Sequence, residues 1–240
     1  MPERIIQLDK SVIVAADVEA ARLSKLVEQT CLVEGIGGYK IGLTLALEDG
    51  LPRIVEQVKN TKDYPGLPVI YDHQKAGNDI PAMGTQFAKV CKNSGVDAII
   101  LFPFGGAKTE RDWIHAAQDQ GLGVLVGAHM TQLEFLYSEG GFIADDAPQE
   151  IFTIAAQEGV EDFVVPGNNI EYVQKYTNLL DTMLDPGNFT LYAPGFKTQG
   201  GEISDFANAA GDRWHTIVGS TIYNAVNMRE AAEQMIKQIK

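Results

Sequence analysis

The sequence is short of cysteine, of positive charge and of long apolar runs. Its 240 residues hold two cysteines, Cys31 and Cys91, with no CxxC spacing. That excludes a disulfide framework and a cysteine-built zinc site, and leads us to expect two reduced, buried thiols in a cytoplasmic protein. Lys and Arg number 19 against 32 Asp and Glu, a formal net charge of −13. A nucleic-acid partner would need a basic footprint, and an anionic membrane would repel this surface, so neither is expected. No stretch approaches the roughly 20 apolar residues of a membrane span. The short apolar run ahead of Asp17 lacks the longer core of a signal peptide. Also missing is a helix-opening GxGxxG or other phosphate loop. The histidines His73, His115, His129 and His215 are scattered without metal-ligand spacing.

What is present is a repeated alternation. Short apolar runs recur at Val12–Ala16, Gly38–Gly42, Pro68–Tyr71, Ala98–Phe102, Gly123–Ala128, Asp162–Val165, Thr190–Ala193 and Thr216–Gly219. Each is too short for a helix and rich in residues that suit a strand buried on both faces. Between them lie segments of helical period, Ala20–Thr30, Leu51–Lys59, Met83–Asn93, Thr109–Gln120, Pro148–Glu158, Ile170–Thr177 and Ala225–Ile239. Gly95, Gly121 and Gly159 sit where helix stops belong. Eight βα units at this length predict one (β/α)8 TIM barrel spanning 1–240, with an open doubly wound sheet as the runner-up.

Such a barrel keeps its chemistry at the C-terminal ends of its strands. The residues ending the eight runs include Asp17, Lys40, Asp72 with Lys75, Thr131, Pro166, the stretch 194–201 and Ser220. Lys40 lies inside the apolar run Gly38-Tyr39-Lys40-Ile41-Gly42, where a buried ammonium requires a carboxylate partner, either Asp72 or Asp17. Lys75 follows, bracketed by Asp72 and Asp79. For Lys75 and Asp79 taken alone, an ordinary solvated cluster would explain the pattern; the four charges on adjacent strand ends favour function.

These residues resemble the orotidine 5′-monophosphate decarboxylase family, whose Asp-x-Lys-x-x-Asp motif is followed by Ile-Pro, as Asp79 is by Ile80-Pro81 here. Lys40-Ile41-Gly42 resembles its strand-two lysine, and Asp17 its strand-one aspartate. Ala193-Pro194-Gly195-Phe196-Lys197-Thr198-Gln199-Gly200-Gly201 resembles its loop after strand seven, Ile217-Val218-Gly219-Ser220-Thr221-Ile222-Tyr223 its strand-eight ending, and Met130-Thr131 its Met-Ser. The likeness runs along nearly the whole chain. Three departures stand out. Asp72, Lys75 and Asp79 are each spaced one residue wider than the family motif. Ser220 replaces the family's phosphate-binding arginine. Met83 stands where the family has Thr. The first extra residue requires a bulge or early turn before Lys75 can rejoin Asp72, and Gly77 and Asn78, which tolerate positive φ, are expected to ease the second, between Lys75 and Asp79.

The resemblance implies a decarboxylase of orotidine 5′-monophosphate in pyrimidine biosynthesis, needing no metal and no cofactor. In that reading Lys40, Asp72, Lys75 and Asp79 are catalytic, with Lys75 as proton donor and Asp79 supplied by the neighbouring subunit of a homodimer. Asp17, Ile80, Thr131, Pro194, Lys197, Gln199, Gly219 and Ser220 bind the nucleotide, with Lys197 compensating for the missing arginine. Four alternatives remain. A Mg²⁺-dependent sugar-phosphate decarboxylase or synthase of the same superfamily would carry a glutamate in place of Lys40. A Schiff-base aldolase would need a lysine of depressed pKa. A phosphate-binding barrel without catalysis would explain the altered spacing. The open sheet is the fourth.

Overall fold

A computed structural model of the chain describes residues 4–185, 187–195 and 203–239, the side chains of Ser204 and Asp205 excepted. Eight strands close into a barrel in chain order, every neighbouring pair parallel. They are β1 (Lys10–Ala15), β2 (Ile36–Gly42), β3 (Val69–Ala76), β4 (Ala98–Leu101), β5 (Gly123–Gly127), β6 (Asp162–Val164), β7 (Thr190–Ala193) and β8 (Trp214–Val218). The helices are α1 (Ala20–Thr30), α2 (Leu43–Asp49), α3 (Leu51–Lys59), α4 (Met83–Asn93), α5 (Ala107–Asp119), α6 (Ala147–Gln157), α7 (Ile170–Met183), α8 (Ile203–Ala210), α9 (Ser220–Tyr223) and α10 (Met228–Ile236). The expected TIM barrel is what forms; the open sheet is not. No described helix is long and apolar enough to cross a membrane.

The strands read as unbroken apolar runs because both faces are covered. Inward side chains such as Ile13, Ile70, Ile100, Leu125, Val164 and Ile217 fill the barrel. Their neighbours in sequence, Val12, Tyr71, Ile99, Val124 and Phe163, pack outward against the helices. Both cysteines are free and buried in that outer layer. Trp113 and Trp214 are buried, as expected of core aromatics.

Four elements depart from the sequence reading: β3 and the helices α2, α8 and α9. The polar run after Tyr71 is strand, not loop: β3 continues to Ala76. Short α2 had no counterpart among the helical segments, because its seven residues give periodicity too little length to register.

One buried charge lies away from the barrel mouth. Glu110 on α5 is 1% exposed, and its Oε1 has no hydrogen-bond partner. Burial pushes its carboxyl up to about 8, with Arg111 opposing and Glu158 adding to the rise. The folded protein therefore holds a proton that the unfolded chain releases as pH rises from about 4.5, so stability falls across that window. Glu110→Gln removes the titration. Its stabilisation relative to wild type should be about 2 kcal/mol larger at pH 8 than at pH 6. Urea denaturation at the two pH values checks this; an equal effect at both would contradict it.

Candidate active site

The alternation of β2 turns Lys40 toward the barrel axis while Tyr39 and Ile41 face the helices. The lysine side chain is 9% exposed, and its Nζ lies 3.3 Å from Asp17 Oδ1 and 3.4 Å from Asp72 Oδ2. Both carboxylates left open by the sequence are thus partners at once. The other oxygen of Asp72, Oδ1, accepts the Gln74 backbone N–H at 3.0 Å. Asp72 is nearly buried, whereas Asp17 keeps a solvent-facing edge. Gly42 makes the cluster possible: a Cβ there would lie 2.7 Å from Asp17 Oδ1 and 3.9 Å from Lys40 Nζ.

The wide spacing between Asp72 and Lys75 is absorbed within the sheet. β3 pairs with β4 at Tyr71↔Ile99 and next at Ala76↔Leu101, so the stretch from Asp72 to Lys75 bulges opposite Ile100 alone. Gly77 takes the positive φ expected of it, at 99°, but Asn78 does not. Instead Gln74 (φ 53°) and Lys75 (φ 76°) adopt left-handed backbone. For residues bearing a Cβ this costs about 1–2 kcal/mol each, a strain that persists only where surrounding structure holds it.

The bulge carries Lys75 Nζ to 4.5 Å from the centroid of the Phe102 ring. Phe102 belongs to the inner cluster and lies at the end of β4. Its ring fits because Gly127 has no side chain: a Cβ there would lie 2.3 Å from Phe102 Cζ. An ammonium over an aromatic face in a partly desolvated site is stabilised by about 1–2 kcal/mol. Phe102 and Gly127 were not singled out as site residues from the sequence, since a Phe ending an apolar strand reads as core.

Among the described residues Lys75 forms no ion pair, and so does not rejoin Asp72 or Asp79 within one chain. Asp79 is exposed and its Oδ1 accepts the Ile80 backbone N–H at 2.7 Å. Ile80 is exposed as well. Beside them opens a cavity of about 360 Å³ whose lining includes Lys75, Asp79, Met83, Phe87, Val90 and Trp113.

The remaining predicted residues fall around the rim. Thr131 follows β5, and its carbonyl accepts a hydrogen bond from Asn168 Nδ2 at 3.1 Å. Pro194 follows β7, and its carbonyl accepts the Gly167 N–H at 3.0 Å. Gly219 and Ser220 stand at the junction of β8 and α9. Lys197 and Gln199 lie outside the described residues. His73 lines the cavity beside Lys75, whereas His129 is buried away from it. His73 hydrogen-bonds Tyr71 and stands edge-on to Phe87 in the outer layer. His129 Nδ1 pairs with Tyr176 Oη at 2.7 Å and stacks on Phe135. Burial pushes His129 down to about 4, so it is a neutral packing residue at physiological pH. Among the described residues no three His, Cys, Asp or Glu side chains gather as metal ligands would.

A closed parallel barrel with a lysine held between two aspartates at its C-terminal mouth defines a (β/α)8 protein built to handle a charged small molecule. The comparisons with known proteins agree. The profile of the Orotidine 5'-phosphate decarboxylase / HUMPS family matches residues 10–235, and the chain belongs to that family. It is 30% identical over 234 residues to orotidine 5'-phosphate decarboxylase of Pyrococcus abyssi, covering 95% of this chain and 99% of that one. It is 31% identical over 210 residues to the enzyme of the same name from Methanosarcina barkeri, covering 86% and 85%. Among solved structures, orotidine 5'-phosphate decarboxylase from Pyrococcus horikoshii superposes with a TM-score of 0.75 at 26% identity, over 95% of this chain and 99% of that one. Orotidine 5'-monophosphate decarboxylase from Methanocaldococcus jannaschii, complexed with the inhibitor BMP, has a TM-score of 0.81 at 24% identity, over 96% and 99%, and shares the fold.

Proposed function

We propose that this protein decarboxylates orotidine 5'-monophosphate to uridine 5'-monophosphate in pyrimidine biosynthesis, through electrostatics supplied by its own side chains. The observation that carries this reading is the Lys40 ammonium held 3.3 and 3.4 Å from Asp17 and Asp72, one strand from the strained Lys75. Within the family this favours the nucleotide decarboxylase over a Mg²⁺-dependent sugar-phosphate enzyme. A divalent cation would need those carboxylate oxygens, and a lysine between them both occupies the position and repels the charge. Lys40 also suits a Schiff-base role poorly, because its Nζ is committed to two carboxylates.

In the reaction, the bond from the ring to the carboxyl carbon breaks and its electron pair stays on the ring carbon as CO₂ leaves. The Lys75 ammonium faces that carbon, stabilises the developing charge and gives up a proton to it; solvent then restores the lysine. Asp72 sits beside the substrate carboxylate. Asp17 and Lys40 hold the ribose. Backbone N–H groups at Gly219 and Ser220 take the phosphate, assisted by Gln199 and Lys197. Asp79 and Ile80 serve the site of a second subunit, because among the described residues Lys75 has no carboxylate partner and both Asp79 and Ile80 are exposed. The exposed apolar side chains of Met83 and Val90 nearby fit such a homodimer contact.

The test is the fall in ultraviolet absorbance when purified protein meets orotidine 5'-monophosphate, with and without EDTA. Turnover that EDTA does not affect is expected. Metal-dependent turnover of a keto-sugar phosphate would overturn the reading, as would binding of the nucleotide without turnover.

A further inference from the structure

Among the described residues the Lys75 ammonium forms no ion pair; what it meets is the face of Phe102, 4.5 Å from the ring centroid. The ring is fixed against the bulge of β3 from several sides. The Phe102 backbone N–H donates to the carbonyl of Ala76, the residue after Lys75, at 2.8 Å. Gly77, next along the chain, lies against Pro103, whose Cα would be 3.2 Å from a Cβ at Gly77. The tip of the ring runs over Gly127 on β5, where a Cβ would lie 2.3 Å from Cζ and 2.5 Å from Cε1. Phe102 is 5% exposed and packs in the inner cluster, so its ring supports the ammonium from the barrel side and has little room to turn.

We infer that Phe102 is a positioning residue for the decarboxylation: its ring holds the Lys75 ammonium in place for the reacting carbon, and the bare backbone of Gly127 holds the ring. This rests on the function proposed above. A lysine side chain is long and flexible, and left to itself would spread over many rotamers. A catalytic group displaced from its working geometry loses rate steeply. An aromatic face attracts a cation through its quadrupole and carries no net charge. It therefore fixes the amine without opposing the field that the ammonium exerts on a developing carbanion. The support comes from within the same chain, whatever a second subunit adds from outside. The ribose and phosphate are held elsewhere, by the ends of β1, β2 and β8. The ring should thus bear on kcat and leave KM alone, as an interaction needed only in the transition state does.

The experiment measures kcat and KM for orotidine 5'-monophosphate in wild type, Phe102→Leu, Gly127→Ala, the double variant, and a protein with cyclohexylalanine in place of Phe102. Phe102→Leu should lower kcat by about tenfold or more with KM nearly unchanged. Gly127→Ala pushes the ring aside and should lower kcat in the same way. In the Phe102→Leu background Gly127→Ala should cost no further activity, because a leucine side chain ends short of Cζ and there is no ring left to displace. Additive losses from the two substitutions would overturn the inference. Cyclohexylalanine keeps the apolar bulk without the π face, so its kcat should fall with that of Phe102→Leu. Wild-type kcat in that protein would reduce the ring to packing and overturn the inference, as would a rise in KM with kcat unchanged in Phe102→Leu. A wild-type protein without turnover would instead overturn the reading of the site on which this one rests.

Discussion

Lys75→Gly should lower decarboxylation by about 10⁴-fold or more while leaving the fold as stable as before. Two losses combine in the first effect. Removing a preorganised charge aimed at a developing anion costs about 10²–10³-fold, and removing the proton donor costs about 10²–10⁴-fold. The second effect follows from the backbone. Lys75 sits at φ 76°, where a Cβ is unfavourable by about 1–2 kcal/mol and glycine is not. Relief of that strain offsets the lost contact with Phe102, about 1–2 kcal/mol. Activity and stability therefore separate at one position. The measurements are kcat with orotidine 5'-monophosphate and the urea midpoint of the same variant. Activity within tenfold of wild type would remove Lys75 from the chemistry, and a fall in stability of several kcal/mol would contradict the strain.

Lys40→Met behaves in the opposite way and should destabilise the protein by about 3 kcal/mol. The substitution leaves Asp72, nearly buried, facing Asp17 with no cation between them. The penalty is that of an uncompensated buried charge, moderated because Asp17 reaches solvent. The same argument makes it reversible: adding Asp72→Asn removes the stranded charge, so the double variant should recover a large part of the loss. A double-mutant cycle in urea measures the coupling directly. Additive effects of the two substitutions would mean that the ion pair contributes nothing to the fold. Activity should be lost in both variants, since Lys40 and Asp72 act as one unit.

The barrel was legible because parallel strands covered on both sides write themselves as short apolar runs, and because amphipathic segments of helical period separate them. Lys40 was legible for a related reason: an ammonium inside an apolar run demands an explanation. The end of β3 was not. Its alternation dissolves into Asp72-His73-Gln74-Lys75, which reads as loop, and the strand continues only because β4 offers Leu101 as a partner for Ala76. Gln74 and Lys75 in left-handed backbone contradict local preference, which would have placed the strain at Asn78.

By itself, then, the sequence determined the architecture, the ring of charges at the strand ends and the requirement that Lys40 be paired, because these depend on periodicity and on the cost of burying charge. Tertiary structure alone decided that Lys40 takes both aspartates and that Lys75 lies over Phe102. These depend on register, on a bulge and on the absent side chains of Gly42 and Gly127, which bring together atoms that no local pattern relates.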